Sequence, residues 1–221
     1  MNMPDGILRL LFPGKCVLCR KILPRHQTDL CHRCRVEVDQ VPPAKIRIPH
    51  LAGWTAVWYY EGSARQSLLR FKFRGARSYA GAYGRMLAMK LSRELPETFD
   101  LLTWVPVSRR RRFRRGYDQV ALLASSVGRE LGMEPVPLLR KRRDNPPQSG
   151  IHGLAARRAN VLGVFAVTDP AMVLGKRILL LDDVITTGAT AGECARTLLT
   201  AGAKEVYCAA VATARHHSKN R

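Results

Sequence analysis

Residues 177–190 read RILLLDDVITTGAT and place two carboxylates, Asp182 and Asp183, directly after four large aliphatic residues. Such an aliphatic run reads as a buried strand. In open α/β sheets, ligands bind outside the carboxyl ends of the strands, which is where this acidic pair falls. The turn that follows leads into a helix N-terminus, whose free N–H groups and dipole favour an anion. Thr186, Thr187 and Thr190 add hydroxyls, and Gly188 lets backbone come close to a bound group. A phosphate is therefore expected in the turn Val184, Ile185, Thr186, Thr187, Gly188, Ala189 and Thr190. Vicinal hydroxyls are expected on Asp182 and Asp183. Together these describe a ribose 5-phosphate. The stretch has neither the GK[ST] of a Walker loop nor the dinucleotide GxGxxG.

A second constellation lies near the start. Cys16-x2-Cys19 and Cys31-x2-Cys34 are two knuckles separated by eleven residues. Four thiolates suit tetrahedral Zn²⁺, whose binding supplies folding energy to a segment too short for its own core. A structural zinc ribbon is expected. His26 and His32 are nearby but are not needed as ligands.

The elements that must position these residues follow from periodicity and breakers. Residues 40–50 hold three prolines and read as a linker. Strands are expected at 52–60, 101–105, 160–167, 177–182 and 205–212. Helices are expected at 62–73, 78–94, 117–131 and 189–200, with a break at Arg74-Gly75. On 117–131, Val120, Leu123, Ala124, Val127 and Leu131 share one face. On 189–200, Ala191, Cys194, Ala195, Leu198 and Leu199 turn inward, and Cys194 and Cys208 read as buried free thiols. Apolar strands alternating with helices predict a mostly parallel sheet covered on both faces. The expected organisation is an N-terminal helix and four-Cys unit over 1–45, an α/β domain over 46–215, and a basic tail, 216–221.

The 221 residues carry 37 Lys+Arg against 17 Asp+Glu, a formal charge of +20. That balance attracts polyanions, whether nucleic acid, pyrophosphate or phosphorylated sugars. The hydrophobic fraction of 46% excludes a disordered chain. No apolar run approaches the ~20 residues a spanning helix needs. The N-terminus lacks a basic n-region and a cleavage site, so a cytoplasmic protein without membrane insertion is expected. The run 108–115, SRRRRFRR, carries six arginines. It reads as a pyrophosphate clamp, a nucleic-acid contact or a solvated loop.

The motif from Ile178 to Thr190 resembles the 5-phosphoribosyl 1-diphosphate (PRPP) motif of type I phosphoribosyltransferases at thirteen consecutive positions. The order of segments resembles the ComF family of competence-related, phosphoribosyltransferase-like proteins. These are the four-Cys unit, KFRG at 72–75, VPVS at 105–108, RRGYDQVALLA at 114–124 and the PRPP motif. Gln148, Arg157, Asn160 and Phe165 match a further signature of that family. Asp118 stands where Asn is usual, Tyr117 where Phe is common, and Asn145 where Thr is usual.

The resemblance implies a Rossmann-like type I phosphoribosyltransferase core, α/β with a mostly parallel sheet, plus the small zinc ribbon. It implies PRPP as ligand with Mg²⁺, and phosphoribosyl transfer to an unidentified acceptor with release of pyrophosphate. Asp182 and Asp183 would orient the ribose. Pro106, Val107, Ser108 and Arg109 would form the pyrophosphate loop, with Lys72 as a second cation. The process implied is DNA uptake in natural transformation, or a neighbouring role in nutrient use, with single-stranded DNA and DNA-uptake proteins as candidate partners. The alternative is a non-catalytic PRPP sensor or a single-stranded-DNA-binding scaffold. Neither the acceptor nor the oligomeric state is legible.

Overall fold

The computed structural model describes residues 13–44, 46–96, 98–143 and 154–215. The helix expected at the start of the chain, Asn145, Gln148 and the basic tail lie outside these residues. Among the described residues the central sheet has the order β1-β6-β5-β2, with every pairing parallel. Its strands are β1 (Gly53–Tyr59), β2 (Leu101–Trp104), β5 (Arg177–Ile185) and β6 (Glu205–Thr213). A separate antiparallel pair joins β3 (Leu139–Lys141) to β4 (Phe165–Val167).

Alternation along β5 sends side chains into two cores. Leu179 and Leu181 face a layer built by α2 (Gly62–Phe73), α3 (Tyr79–Glu94) and α5 (Gln119–Leu131). Ile178 and Leu180 face a layer built by α8 (Ala189–Thr200) and the β3–β4 unit. Burial on both faces is why these strands are continuously apolar. The inward residues expected on α5 and α8 are buried, except that Leu131 and Leu199 are only half-buried. Cys194 and Cys208 are buried free thiols, as expected. Helices α3 and α5 approach closely at Gly84, where a Cβ would sit 2.7 Å from that of Ser126.

Three expectations are corrected. The strand expected at 160–167 is the end of α6 (Leu154–Val161), a turn, and the short β4. Gly163, at φ +67°, makes the reversal between them. The arginine run is α4 (Arg109–Arg115), a helix capped by Ser108 and closed by Gly116 at φ 73°. Arginine is a strong helix former, and like charges are tolerable here because every residue of α4 stays at least partly in water.

Nor is 40–50 a free connector. Val41 N–H bonds to Val57 O at 3.1 Å, Val41 and Ile48 are buried, and Trp54 Nε1 donates to Ile46 O at 2.7 Å. The cysteine unit, with its helix α1 (His32–Glu37), packs on the same core as α2 and α3. Ser67 donates to Val17 O at 2.5 Å, and Tyr83 in turn donates to Ser67 Oγ at 2.6 Å. Arg70 donates to Val17 O and Leu18 O, and Arg85 pairs with Asp29. A further short helix, α7 (Pro170–Val173), is capped by Asp169.

Candidate functional site

Strands β2 and β5 are neighbours, with Trp104 beside Leu181, so the segments that follow them open at the same sheet edge. One is the 105–108 loop; the other carries the acidic pair and the threonine turn. Asp182 continues the row of Ile178 and Leu180, and Asp183 the row of Leu179 and Leu181. The pair therefore addresses opposite layers at one edge.

Asp183 is 6% exposed and is met by two elements of the first layer. Lys72, in the last turn of α2, brings Nζ to 2.7 Å from Oδ1. Gln119, the first residue of α5, donates Nε2–H to Oδ2 at 2.9 Å. Asp182 accepts the Asp183 N–H through Oδ1 at 2.8 Å. Burial, with the like charge of Asp183 second, pushes the Asp182 carboxyl up to about 7, while Lys72 and Lys141 oppose that rise. Burial also holds the thiols of Cys194 and Cys208 well above their ordinary value, and the nearby Asp182 adds to this.

The turn 186–188 ends at Gly188, which caps α8 at φ 73°. A Cβ there would lie 2.7 Å from Ile48 Cδ1, so glycine is required by conformation and by space. Ala189 N–H reaches Thr187 Oγ1 at 3.4 Å. Thr186, Thr187, Ala189 and Thr190 are partly exposed, as an anion cradle requires. Val184 is half-buried and Ile185 is buried in the core; both were expected in the turn but belong to β5, paired with Ala212 and Thr213 of β6, and Ile185 O accepts from Ala214 N–H at 2.9 Å. Behind the turn is a cavity of about 210 Å³, walled by Pro49, His50, Val161, Leu162 and the start of α8. A larger one, about 850 Å³, lies between the cysteine unit and α3, away from the aspartates.

In the 105–108 loop, Pro106 and Val107 are half-buried and Ser108 is buried as the α4 cap. Arg109 is exposed. At the end of the arginine run, burial lowers the pKa of Arg115 and the charge of Asp183 opposes that fall. The Arg115 guanidinium lies 4.8 Å from the Phe73 ring centroid, and its buried Nε has no hydrogen-bond partner among the described residues.

Sequence reasoning found Lys72 and held Arg115 within its arginine run, but gave no role at the acidic pair to Gln119 or Lys141. RRGYDQ was visible as a segment, but its Gln119 read only as the start of a core helix. Asp118 in that segment caps α5, accepting from Val120 N–H and Ala121 N–H at 3.0 Å each, which Asn would do equally well. Tyr117 donates its hydroxyl to Phe71 O, a bond Phe could not make.

The four cysteine sulfurs all lie within 4.8 Å of one another, and those of Cys19 and Cys31 are 3.6 Å apart. Zn–S bonds of about 2.3 Å in a tetrahedron require S···S separations of about 3.8 Å, so the set fits zinc. Burial raises the Cys34 thiol, whereas backbone N–H groups of Cys19, Cys31 and Leu18 bring Cys16 down to about 7 against burial.

The phosphoribosyl transferase domain family matches residues 118–221. Competence protein ComFC of Bacillus subtilis (strain 168) is 27% identical over 187 residues, covering 85% of this chain and 72% of that protein. DNA utilization protein YhgH of Escherichia coli (strain K12) is 28% identical over 235 residues, covering 90% and 97%. Among solved structures, glutamine PRPP amidotransferase from B. subtilis aligns with TM-score 0.44 and 22% identity. That alignment covers 63% of this chain but only 30% of the amidotransferase. No helix of the described residues is long and apolar enough to cross a membrane.

Proposed function

We propose that this chain is a ComF-family phosphoribosyltransferase-like protein that binds PRPP and transfers the phosphoribosyl group to an acceptor, with release of pyrophosphate, in a process linked to DNA uptake. The observation that carries this reading is the convergence of Lys72 and Gln119 on Asp183, at the edge where the glycine-capped α8 begins. The turn that follows β5 and the start of α8, residues 186–190, hold the 5-phosphate through backbone N–H groups and threonine hydroxyls. Asp182 and Asp183 orient the ribose hydroxyls. The loop 105–109, together with Arg115, faces the diphosphate. As the C1–oxygen bond breaks, positive charge grows on the ribose ring, and buried carboxylates beneath it stabilise that charge.

Mg²⁺ is an oxygen-seeking ion that keeps several waters. The residues fit a metal carried on the diphosphate, with Asp182 the carboxylate to meet it, since Asp183 is already paired with Lys72. It would neutralise the leaving group. Zn²⁺ on Cys16, Cys19, Cys31 and Cys34 is structural, holding the loops that Ser67 and Arg70 grip.

The deciding experiment is calorimetric titration of PRPP with Mg²⁺ into the zinc-loaded protein and into Asp182→Asn/Asp183→Asn. Binding that the double variant loses supports the site and justifies an acceptor screen by pyrophosphate release. No heat from the folded wild type overturns it.

A second reading rests on α4. Phe113 is 92% exposed at the centre of six arginines, an arrangement suited to stacking on a base between phosphate contacts. Tyr117, by contrast, is buried and unavailable. On this reading the chain holds single-stranded nucleic acid along α4.

A further inference from the structure

The larger cavity, about 850 Å³, takes no part in holding a phosphoribosyl group. Residues 13–29 of the cysteine unit form one wall; Ser78 and the first two turns of α3 form the other. The spacing of these walls is fixed from both sides. Arg85 Nε, on α3, donates to Asp29 Oδ2 at 2.9 Å, and Ser67 and Arg70, on α2, hold Val17 O. The cleft is thus formed before anything enters it, which lowers the cost of binding.

Its lining divides by chemistry. Val17, Leu23 and Ala82 are buried apolar residues, and the half-buried ring of Tyr79 lies with them. Lys15, Arg20 and Arg25 are exposed, and none has an ion-pair partner among the described residues. The carboxylate that lines the same space, Asp29, is already taken by Arg85. Gln27, Thr28 and Ser78 add side-chain groups with no hydrogen-bond partner among the described residues. A primary amide such as that of Gln27 offers a donor and an acceptor side by side, the complement of a peptide bond.

Three cations without partners call for an anionic occupant, and the apolar interior calls for large apolar side chains. A nucleic-acid strand meets the first demand only. It needs rings on which bases stack, and among the described residues Tyr79 is the one ring lining the cleft, with the Arg70 guanidinium already 5.9 Å from its centroid. A free phosphate is far smaller than the space. A peptide carrying both carboxylates and apolar anchors meets both demands.

We infer that this cleft is a docking site for an acidic segment of a partner protein. Its apolar side chains rest on Val17, Leu23, Ala82 and Tyr79, and its carboxylates meet Lys15, Arg20 and Arg25. The cysteine unit then serves as one jaw of a protein-binding surface, apart from Asp182 and Asp183 and independent of what they hold.

The test selects a display library of random twelve-residue peptides on the full, zinc-loaded chain, after depletion on Lys15→Glu/Arg25→Glu. Both residues are exposed, so this variant should keep the wild-type melting temperature. It also stays strongly basic, so depletion removes sequences drawn by overall charge alone. Enriched peptides are expected to combine Asp or Glu with Leu, Ile or Phe. The leading peptide, synthesised with a fluorescent label, should bind the variant about tenfold more weakly or worse. It should move the amide resonances of residues 15–29 and 78–85 in wild type and leave those of α4 in place. Changing its apolar residues to serine should weaken it by about tenfold again. Failure to enrich any peptide, or a leading peptide that binds both proteins alike, overturns the inference. An oligothymidylate that moves the same resonances and displaces the peptide would overturn it in favour of nucleic acid. Displacement by a synthetic peptide of residues 1–12 would overturn it in favour of the chain's own segment.

Discussion

Lys72 and Asp183, 111 residues apart in sequence, meet at 2.7 Å with side-chain exposures of only 16% and 9%. The pair joins the end of α2 to the end of β5 and fixes one of the two carboxylates before any ligand arrives. A partner removed from such a pair leaves an uncompensated charge, at a cost of about 3 kcal/mol. Lys72→Met should therefore lower unfolding stability by about that amount in urea titrations. Lys72→Met/Asp183→Asn should be less destabilised than the sum of the two single changes, with a coupling of about 1–3 kcal/mol. Additive single changes would mean the two residues are not coupled.

Asp182 carries a proton dependence of definite sign. Its folded value is about 7 against an ordinary 3.8, because burial and the charge of Asp183 oppose ionisation. Between those values the folded chain keeps a proton that the unfolded chain has released, so this group's contribution to stability falls as pH rises through the window. Asp182→Asn in magnesium-free buffer should be more stable than the parent at pH 8, on the order of 2 kcal/mol. The advantage should shrink steadily toward pH 4. An advantage that grows toward acid would contradict the assignment.

Gly188→Ala forces a side chain into φ 73° and against Ile48. The backbone term alone is about 1–2 kcal/mol. Thermal unfolding should show that loss, and Gly188→Ala/Ile48→Ala should recover the steric part but not the backbone part. Phosphate binding to the turn should weaken in both variants.

The purified chain should contain one zinc per molecule by atomic absorption. Removal by a strong chelator, or Cys34→Ser, should lower the melting temperature by roughly 5–10 °C, corresponding to about 2–3 kcal/mol. Amide exchange should rise first in the Cys16–Cys34 loops and next in α2, where Ser67 and Arg70 hold them.

For α4, Phe113→Ala should leave stability within about 0.5 kcal/mol, since the ring is solvent-exposed. If single-stranded oligonucleotide binds there, this change should weaken it by about 1–3 kcal/mol without altering its salt dependence. Arg110→Ala/Arg114→Ala should reduce the salt slope instead. Unchanged binding in both variants would remove α4 as the surface.

The parts of the site that are contiguous in the chain were legible there. The acidic pair and its turn, like the cysteine knuckles, are local patterns whose chemistry follows from residue type and spacing. Gln119 was not, because its meaning lies in reaching β5 across more than sixty residues of intervening chain. The α4 helix was not among the expected elements, although arginine propensity, the Ser108 cap and Gly116 all specify it. The 160–167 strand failed for a different reason: a short apolar run fits the end of a helix as well as a strand, and Gly163 decided between them.

Residues 46–50 have a consequence for how this protein can be taken apart. Ile48 fills the space behind Gly188, and Pro49 O lies 3.0 Å from where a Cβ on Gly192 would be. The stretch acts as a shim behind the glycine turn, at the very start of the domain that carries it. A fragment cut at the proline-rich stretch would fold around a turn with its backing missing. A chimera joined after residue 50 would carry the backing of that turn along with the four cysteines, whereas one joined at residue 45 would leave it behind.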